Sequence, residues 1–495
     1  MPQSTAGGAP PRWLAQSFLQ GLGSPFVSDL APAPVSAPCW VAQSRTLAAE
    51  LGLGEWLGSA DALAVLSGSR VSPGTRPHAS VYSGHQFGVW AGQLGDGRAL
   101  LLGEIESSAG RMELQLKGSG PTPYSRRGDG RAVLRSSIRE FLASEAMHAL
   151  GIPTTRALAV VGSSLPVRRE TVETAAVLTR VAPSFLRFGH FEHFTHTVRD
   201  MAALQRLLSA TVERYFPEQA GQPEPAAAFL EQVARRTARL VADWQAVGFC
   251  HGVMNTDNMS VLGLTIDYGP FGFLDGFDPG HVCNHSDHQG RYAFARQPSV
   301  AFWNLRALAQ ALLPLMGQGE AASERVQEAL EPYPAVFAET LKARLCAKLG
   351  LQTRQDGDAV LAEDWLQLLA SERTDYTLAW RRLADFTAAG ASAVRELFRE
   401  PAAFDAWAAR YVARLGTEGS QDAERALRMK RANPKYVLRN HLAENAIRLA
   451  ETGDFSECER LLSVLERPFD EQAEHSAYAD LPPDWARHLE ISCSS

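Results

Sequence analysis

Oxygen-bearing side chains stand close together at two points in the second half of the chain. The segment 251–258 reads His-Gly-Val-Met-Asn-Thr-Asp-Asn, and Asp267 follows nine residues after Asn258. An Asn amide oxygen and an Asp carboxylate are hard donors of the kind that Mg²⁺ and Mn²⁺ take from proteins, together with water and substrate phosphates. The alternative interpretation is a solvated turn rich in Asn and Asp. We interpret Asn258 and Asp267 as a divalent-cation site.

The same segments have the spacing of two protein kinase motifs, H-R-D-x-x-x-x-N and D-F-G. His251 and Asn258 are as far apart as the kinase His and Asn, and Asp267 opens an Asp-Tyr-Gly triplet. Val253, however, stands where kinases have their catalytic Asp. Valine cannot accept a proton, which argues against ordinary phosphorylation with that base. Asp257 is the nearby candidate for a proton acceptor or for holding a second metal ion.

Upstream of these segments lie candidates for binding phosphate. Gly95 and Gly97 fall in a turn between two predicted strands, where glycine lets backbone N–H groups approach phosphate oxygens. This signal is weak alone, because glycine-rich hairpins are common. Lys117 lies on the next strand, and a helix carrying Glu140 and Glu145 follows it. A strand-to-helix ion pair would orient the ammonium toward phosphates, whereas the alternative is an ordinary surface lysine.

Four arginines surround the predicted start of that helix, namely Arg126, Arg127, Arg131 and Arg135. Positive charge near a helix N-terminus is unfavourable for the helix dipole. A bound polyanion would offset this repulsion, and we therefore favour a binding role for these arginines over simple solvation of the helix start.

The elements that must position these residues divide the chain into a strand-rich part and a helical part. Strands are predicted over 99–105 and 111–117, and period-two alternation in the second places Lys117 on the polar face of a half-buried strand. A long amphipathic helix is predicted over 226–247, between Pro225 and Gly248. Strands followed by helices predict an α+β fold.

Composition excludes several classes of protein. The 495 residues are too many for one core, and the net charge of −7 argues against a nucleic-acid binder. No apolar run reaches the length of a membrane span, and the N-terminus lacks the apolar core of a signal peptide. We therefore expect a cytoplasmic protein with no membrane association. Six dispersed cysteines without a CxxC pair do not predict a disulfide scaffold.

Four long segments together resemble the selenoprotein O family, namely 82–88, 115–130, 251–258 and 266–275. The resemblance extends from about residue 10 to the end of the chain. It implies a two-lobed protein-kinase-like fold and a protein adenylyltransferase, with ATP bound in an orientation flipped relative to kinases. Some members also use UTP. We expect AMP transfer to Ser, Thr or Tyr hydroxyls of target proteins with release of pyrophosphate; the alternatives are a kinase-type phosphotransferase and a non-catalytic nucleotide-binding pseudokinase.

The resemblance also implies roles for individual residues. Lys117 would bind phosphate with Glu140 as its ion-pair partner, Asn258 and Asp267 would hold Mg²⁺ or Mn²⁺, and Asp257 would accept the proton. The expected nucleotide contacts, besides Lys117 and Asp267, are Gly95, Gly97, Arg98, Asp129, Gly130, Arg180 and Arg187. The expected division of the chain is an N-terminal extension over 1–77, an N-lobe over 78–182, a C-lobe over 183–320 and a helical region with a redox tail over 321–495.

Two cysteine features remain. His281, Cys283, His285 and His288 are close in sequence, but their spacing matches no common zinc pattern, so we favour a substrate-receiving loop over a zinc site. Cys493 occupies the place of the selenocysteine of some family members. An intramolecular Cys283–Cys493 disulfide is the corresponding hypothesis, with an inert exposed thiol as the alternative.

Overall fold

The N-terminal part of the protein is built on an antiparallel sheet, and the C-terminal part is helical. The computed structural model describes residues 8–387, 393–489 and 491. Twelve strands are present in this part of the chain: β1 (Val27–Asp29), β2 (Cys39–Gln43), β3 (His78–Ser80), β4 (Ser83–Gln86), β5 (Val89–Gln93), β6 (Ala99–Ser107), β7 (Gly110–Lys117), β8 (Ala132–Val133), β9 (Arg156–Arg168), β10 (Val172–Ala182), β11 (Phe249–Cys250) and β12 (Gly272–Phe273).

Seventeen α-helices complete the described structure: α1 (Phe18–Gly21), α2 (Arg45–Glu50), α3 (Gly54–Leu57), α4 (Ala60–Leu66), α5 (Leu134–Ala149), α6 (Phe188–Glu192), α7 (Met201–Tyr215), α8 (Pro225–Val247), α9 (Gln297–Leu312), α10 (Gly319–Leu330), α11 (Pro332–Lys348), α12 (Asp358–Glu372), α13 (Tyr376–Leu383), α14 (Pro401–Thr417), α15 (Asp422–Ala432), α16 (Asn440–Glu451) and α17 (Ser456–Leu465). The α+β prediction is confirmed, and the two parts form the lobes of a kinase-like fold.

The main sheet has the strand order β1-β3-β6-β7-β10-β9-β2, with β8 beside β10, and every neighbouring pair is antiparallel. Strands β1 and β2, both from the first 77 residues, occupy its two edges. They pair with edges that would otherwise expose open hydrogen-bonding groups. The N-terminal segment is therefore part of the sheet that carries the site.

Strand β7 corrects the prediction of a half-buried strand. Its last six residues, Met112 to Lys117, are all buried, including those on the polar face. In register, Lys117 lies opposite Ala99 of β6 and Leu178 of β10, in the middle of the sheet. The polar side chains of this face are buried because they face partners inside the protein rather than water.

Helix α5 packs against the sheet through β9 and β10 and against α16 and α17 from the C-terminal region. Ile138, Phe141, Leu142 and Ala146 are fully buried and fall on one face at helical spacing. The helix carrying Glu140 is thereby held between the sheet and helices α16 and α17.

The helical lobe forms around α8, which packs on α9, α10 and α11. This helix has Pro225 at its first position and ends at Gly248 with φ +78°, as the sequence predicted. A separate aromatic core, including Trp365, Trp380 and Trp407, lies among the helices that follow α11. Over the described residues, none of the helices combines the length and the apolar character that crossing a bilayer requires.

Candidate active site

A cleft of about 680 Å³ is lined by residues of both lobes. The structure brings together in its wall all eleven residues that the sequence nominated for nucleotide, metal or proton transfer. They are Gly95, Gly97, Arg98, Lys117, Asp129, Gly130, Arg180, Arg187, Asp257, Asn258 and Asp267. Residues separated by up to 172 positions therefore share one solvent-accessible space.

Lys117 and Arg180 share the carboxylate of Glu140 behind the wall of the cleft. Lys117 Nζ donates to Glu140 Oε2 at 2.5 Å, and Arg180 Nε donates to Glu140 Oε1 at 2.6 Å. Burial and the nearby Arg180 lower the pKa of Lys117 to about 8, against the opposing effect of Glu140. One carboxylate thus orients two cations toward the cleft, which suits the binding of a polyanion.

The carboxylate of Asp267 is held by two arginines, one of which is the same Arg180. Arg180 Nη2 donates to its Oδ1 at 2.6 Å, and Arg187 Nη1 donates to its Oδ2. Burial alone would raise the pKa of Asp267, but Arg187 and Arg180 hold it well below its usual value. The backbone of Asp267 is left-handed, with φ +57°. Such a conformation is costly for a non-glycine residue and is found at functional sites.

Asp257 is buried in the cleft wall with one oxygen unused. Its Oδ2 accepts a long hydrogen bond of 3.4 Å from Gln86 Nε2, whereas Oδ1 has no partner among the described residues. Burial raises the pKa of Asp257 to about 7, partly opposed by Arg187 and reinforced by Asp267. A cleft-lining residue whose carboxyl group has an unpartnered oxygen is suited to accept a proton or to bind a cation.

The donor set fits a hard divalent cation. Asn258 Nδ2 donates to the Val253 carbonyl oxygen at 3.0 Å, which leaves Oδ1 as the acceptor atom of the amide. Together with Asp267 and the unused Oδ1 of Asp257, this provides oxygen ligands only. No group of three His, Cys, Asp or Glu side chains in the described ranges could hold a metal by itself. The remaining ligands of a cation here would be phosphate oxygens and water.

His251 positions the loop that carries Asn258 rather than lining the cleft. Its backbone N–H donates to Gln297 Oε1 at 2.9 Å, and its Nε2 lies 2.9 Å from the Ile266 carbonyl oxygen. The second bond ties the segment before Asn258 to the residue before Asp267, and the first ties it to helix α9. Val253 lines the cleft, as expected of the position at which kinases carry their catalytic base.

Gly95 and Gly97 serve a packing purpose that the sequence did not reveal. A Cβ on Gly95 would lie 2.5 Å from the Tyr124 ring, and one on Gly97 would lie 2.9 Å from the Tyr124 carbonyl oxygen. Gly130 has φ +68°, and a Cβ there would meet the Gly120 backbone. Gly95 and Gly97 thus allow the loop around 95–97 to pack directly on the 118–130 loop beside the cleft, and Gly130 allows the second loop to fold back on itself.

The four arginines at the start of α5 have different roles. Arg126 and Arg127 line the cleft. Arg131 also lines it, but donates to the Ala33 and Pro34 carbonyl oxygens. Arg135 forms an ion pair with Glu173 at 3.1 Å, so the expectation that it needs a bound polyanion is wrong. A carboxylate from the next hairpin neutralises it, which the local sequence did not indicate.

Sequence reasoning missed several residues of the cleft, including Tyr82, Tyr124, Arg168 and Arg169. The two arginines lie at the end of β9, and Arg169 pairs with Asp129 at 2.8 Å. The adjacent pair of arginines in the sequence was the available signal. Altogether eight arginines and one lysine line the cleft against four aspartates, in a chain whose net charge is negative. This excess of positive charge suits a triphosphate.

The cysteine and histidine loop does not form a metal site in the described part of the chain. Cys283 is buried, and its Sγ lies 3.5 Å from the Cys250 carbonyl oxygen. Its predicted partner Cys493 lies outside the described residues.

Comparison with known proteins identifies the family. The model of the family described as "Protein adenylyltransferase SelO" matches residues 14–466. The chain is 58% identical to "Protein nucleotidyltransferase YdiU" of Paraburkholderia xenovorans, over 97% of this chain and 95% of that protein. It is 57% identical to the Burkholderia mallei protein of the same name, over 97% and 96% of the two chains, and 56% identical to that of Ralstonia nicotianae, over 96% and 94%. The chain therefore belongs to the SelO family of protein adenylyltransferases.

Proposed function

We propose that this protein binds ATP in the cleft and transfers AMP to a Ser, Thr or Tyr hydroxyl of target proteins, releasing pyrophosphate. The observation that carries the proposal is the arrangement of Asp257. Asp257 lines the same cleft as Lys117, Arg180 and Asp267, and one oxygen of its buried carboxyl group has no partner among the described residues, so a candidate proton acceptor and phosphate-binding groups border one space.

Asn258 and Asp267 would hold Mg²⁺ or Mn²⁺, which would neutralise phosphate charge when bound. Lys117 and Arg180, held by Glu140, would bind phosphate oxygens from the sheet side. Asp257 would accept the proton of the attacking hydroxyl. The base, the cations and the substrate would then be held in line, which supplies most of the rate in nucleotidyl transfer.

The other nominated residues are proposed as nucleotide contacts. Arg98 and Arg187 add positive charge to the two walls of the cleft, and Gly95, Gly97 and Gly130 keep its loops close together. Asp129 faces the cleft while paired with Arg169, and it is proposed to orient that arginine as well as to contact nucleotide. UTP is proposed as a second substrate.

Parallel incubations with α-labelled and γ-labelled ATP test the reaction class. Only the α-label is expected to reach protein, and the mass of the product should rise by about 329 Da for AMP rather than about 80 Da for phosphate. Transfer of the γ-label would favour the kinase-type alternative. Thermal stabilisation by ATP without any label transfer would favour a nucleotide-binding pseudokinase.

A redox tail is part of the proposal. The His285 backbone N–H points to the Ile491 carbonyl oxygen at 3.4 Å, so the end of the described chain lies beside the Cys283 loop. We propose that glutathione disulfide oxidises Cys283 and Cys493 to a disulfide, giving two glutathione molecules and conserving electrons and protons. Peptide mapping without reductant should yield a Cys283–Cys493 peptide; finding both cysteines only as free thiols or as glutathione adducts would count against it.

Location and domain division belong to the same proposal. We propose a cytoplasmic protein, consistent with the five free cysteines among the described residues. We also propose that it acts on proteins rather than nucleic acids, consistent with its acidic net charge. The proposed boundaries remain 77/78, 182/183 and 320/321. Cell fractionation tests the location. Limited proteolysis with fragment sequencing tests the domain boundaries.

A further inference from the structure

The hairpin β4–β5 is attached directly to the loop that carries Asp257. The backbone N–H of His85 donates to Thr256 Oγ1 at 2.8 Å, and that of Phe87 donates to Asn255 Oδ1 at 3.1 Å. The residue between them, Gln86, reaches Asp257. Phe87, the first residue of the hairpin turn, therefore follows directly after Gln86, whose side chain contacts the candidate base Asp257.

The tip of the hairpin exposes large apolar side chains in a strained turn. Phe87 and Gly88 have φ +51° and +81°, values that two-residue hairpin turns usually fill with Asn or Gly. Phe87 is nevertheless 41% exposed, and its neighbours Val89 and Trp90 are 69% and 38% exposed. A left-handed backbone is unfavourable for Phe87, and so is the exposure of its ring to water. The arrangement therefore points to a binding partner that contacts the hairpin turn.

Grooves of about 340 and 370 Å³ lie against the hairpin. Phe87, Arg291 and Arg296 line the first groove, and Trp90 and Arg199 line the second. Neither groove has an Asp or Glu in its lining. Within the described ranges none of the three arginines forms an ion pair, although the chain as a whole is acidic. These grooves therefore present uncompensated positive charge beside aromatic surface.

Ring contacts hold this surface in place. The His85 ring lies 5.0 Å from that of Trp90 and 5.3 Å from that of Trp303, and the Arg291 guanidinium lies 4.8 Å from the Trp303 ring centroid. On the other side, the Phe87 ring lies 5.1 Å from that of Tyr292. Arginine and aromatic residues in fixed positions are the side chains that dominate protein–protein binding energy.

We infer that Phe87, Trp90, Arg199, Arg291 and Arg296 form a docking surface for the target protein, and that it binds a segment rich in Asp and Glu with an apolar side chain among them. The inference rests on the proposed function and specifies its substrate. Charge complementarity selects acidic residues, and the exposed rings select an apolar one. Attachment of the hairpin to the Asp257 loop would bring the hydroxyl of the docked segment to the base.

The test uses the full-length protein, α-labelled ATP and two synthetic peptide sets. Each peptide carries one central Ser, Thr or Tyr, flanked in one set by Glu and Leu and in the other by Lys and Leu. The variants are Phe87→Asn and the double variant Arg291→Glu with Arg296→Glu. Leu427→Asn is the control for loss of an exposed apolar side chain, and Arg45→Glu is the control for charge reversal at an exposed arginine that lines neither groove.

The acidic set is expected to be labelled about 10-fold more than the basic set, and the double variant should abolish or reverse that preference. Phe87→Asn should reduce labelling of the acidic set while maintaining or raising the melting temperature, because Asn tolerates a positive φ. Thermal stabilisation by ATP reports whether the nucleotide still binds.

Three results would overturn the inference. The first is equal labelling of both peptide sets by the wild-type protein. The second is labelling by the variants that equals that of the wild-type protein on both sets. The third is label on the protein itself but on neither peptide set. If the wild-type protein transfers no α-label to anything, the proposed function fails as well, and this outcome is distinct from the other three.

Discussion

Arg187 connects Asp267 to the loop that carries Asp257. Its Nη1 donates to the Asp267 carboxylate and also to the Asp257 carbonyl oxygen, at 2.7 Å from the latter. The side chain is buried, and its guanidinium lies 5.1 Å from the Tyr82 ring centroid. The candidate metal ligand and the loop of the candidate base are therefore positioned by the same cation, so loss of the Asp267 carboxylate should also disturb the loop that carries Asp257.

Asp267→Asn should reduce metal-dependent AMP transfer by at least about 100-fold, because the amide removes the one negative charge proposed to bind the cation. Asn is preferable to Ala because it tolerates the left-handed backbone at this position. The measurement is α-label transfer over a titration of Mg²⁺ and Mn²⁺. Asp275→Asn, a change in the neighbouring segment outside the cleft lining, is the control. Full activity of Asp267→Asn would refute the metal assignment.

Glu140→Gln should weaken ATP binding about 10-fold or more, because Lys117 and Arg180 lose the carboxylate that orients them. It should also destabilise the fold by about 3 kcal/mol, since buried Lys117 loses its carboxylate partner and Arg180 keeps Asp267 as its only carboxylate partner. The measurements are the melting temperature and its increase with ATP concentration. Glu145→Gln is the comparison, because Glu145 lies on the same helix but pairs with Arg156. It should lower the melting temperature without weakening ATP binding; equal loss of binding in both variants would contradict the assignment to Glu140.

Asp257→Asn should lower the rate of AMP transfer about 100-fold and leave ATP binding nearly unchanged, because the amide cannot accept a proton. Single-turnover kinetics with saturating ATP separate the chemical step from binding. Gln86→Ala removes only the long hydrogen bond to Asp257 and should have a much smaller effect on the rate. A strong loss of ATP affinity in Asp257→Asn, with the chemical step intact, would show that this side chain binds nucleotide instead.

Lys348→Met should raise stability by about 3 kcal/mol near pH 6. Lys348 is 4% exposed, its Nζ lies 4.8 Å from the Trp380 ring centroid, and no carboxylate partners it in the described part of the chain. Burial lowers the pKa of Lys348 to about 7. Between about pH 7 and 10.5 the unfolded chain binds the extra proton, so wild-type stability rises with pH across that window.

The advantage of Lys348→Met should therefore shrink as the pH rises from 7 toward 10 and be largest below 7. Denaturant unfolding at pH 6, 8 and 10 measures it. Lys342→Met, on the same helix but only half-buried, is the control and should have a small effect on stability. A constant gain at all three pH values would contradict the lowered pKa of Lys348 in the folded protein.

Local patterns predicted much of the structure correctly. The strands around Lys117 and helix α8 follow from alternation, helical spacing and the terminal Pro225 and Gly248, all of which act over a few residues. The two edge strands β1 and β2 could not be assigned in this way. They are three and five residues long and become strands only by pairing with β3 and β9.

The choice between Glu140 and Glu145 illustrates why tertiary structure was needed at the site. Both glutamates lie on α5, but side chains five residues apart on a helix differ in direction by about 140°, so the two glutamates have different surroundings. Glu140 meets Lys117 and Arg180, whereas Glu145 meets Arg156. Either pairing was compatible with the order of residues along the chain.

The sequence by itself determined which chemical groups are available, the spacing of the His251–Asn258 segment and Asp267, and membership of the family. Only the tertiary structure decided which charges pair, which carboxylate oxygen of Asp257 remains unused, and that Arg168 and Arg169 join the cleft. The reason is physical: hydrogen bonds and ion pairs depend on distances of a few ångströms between atoms, and those distances are set by packing between elements far apart in the chain.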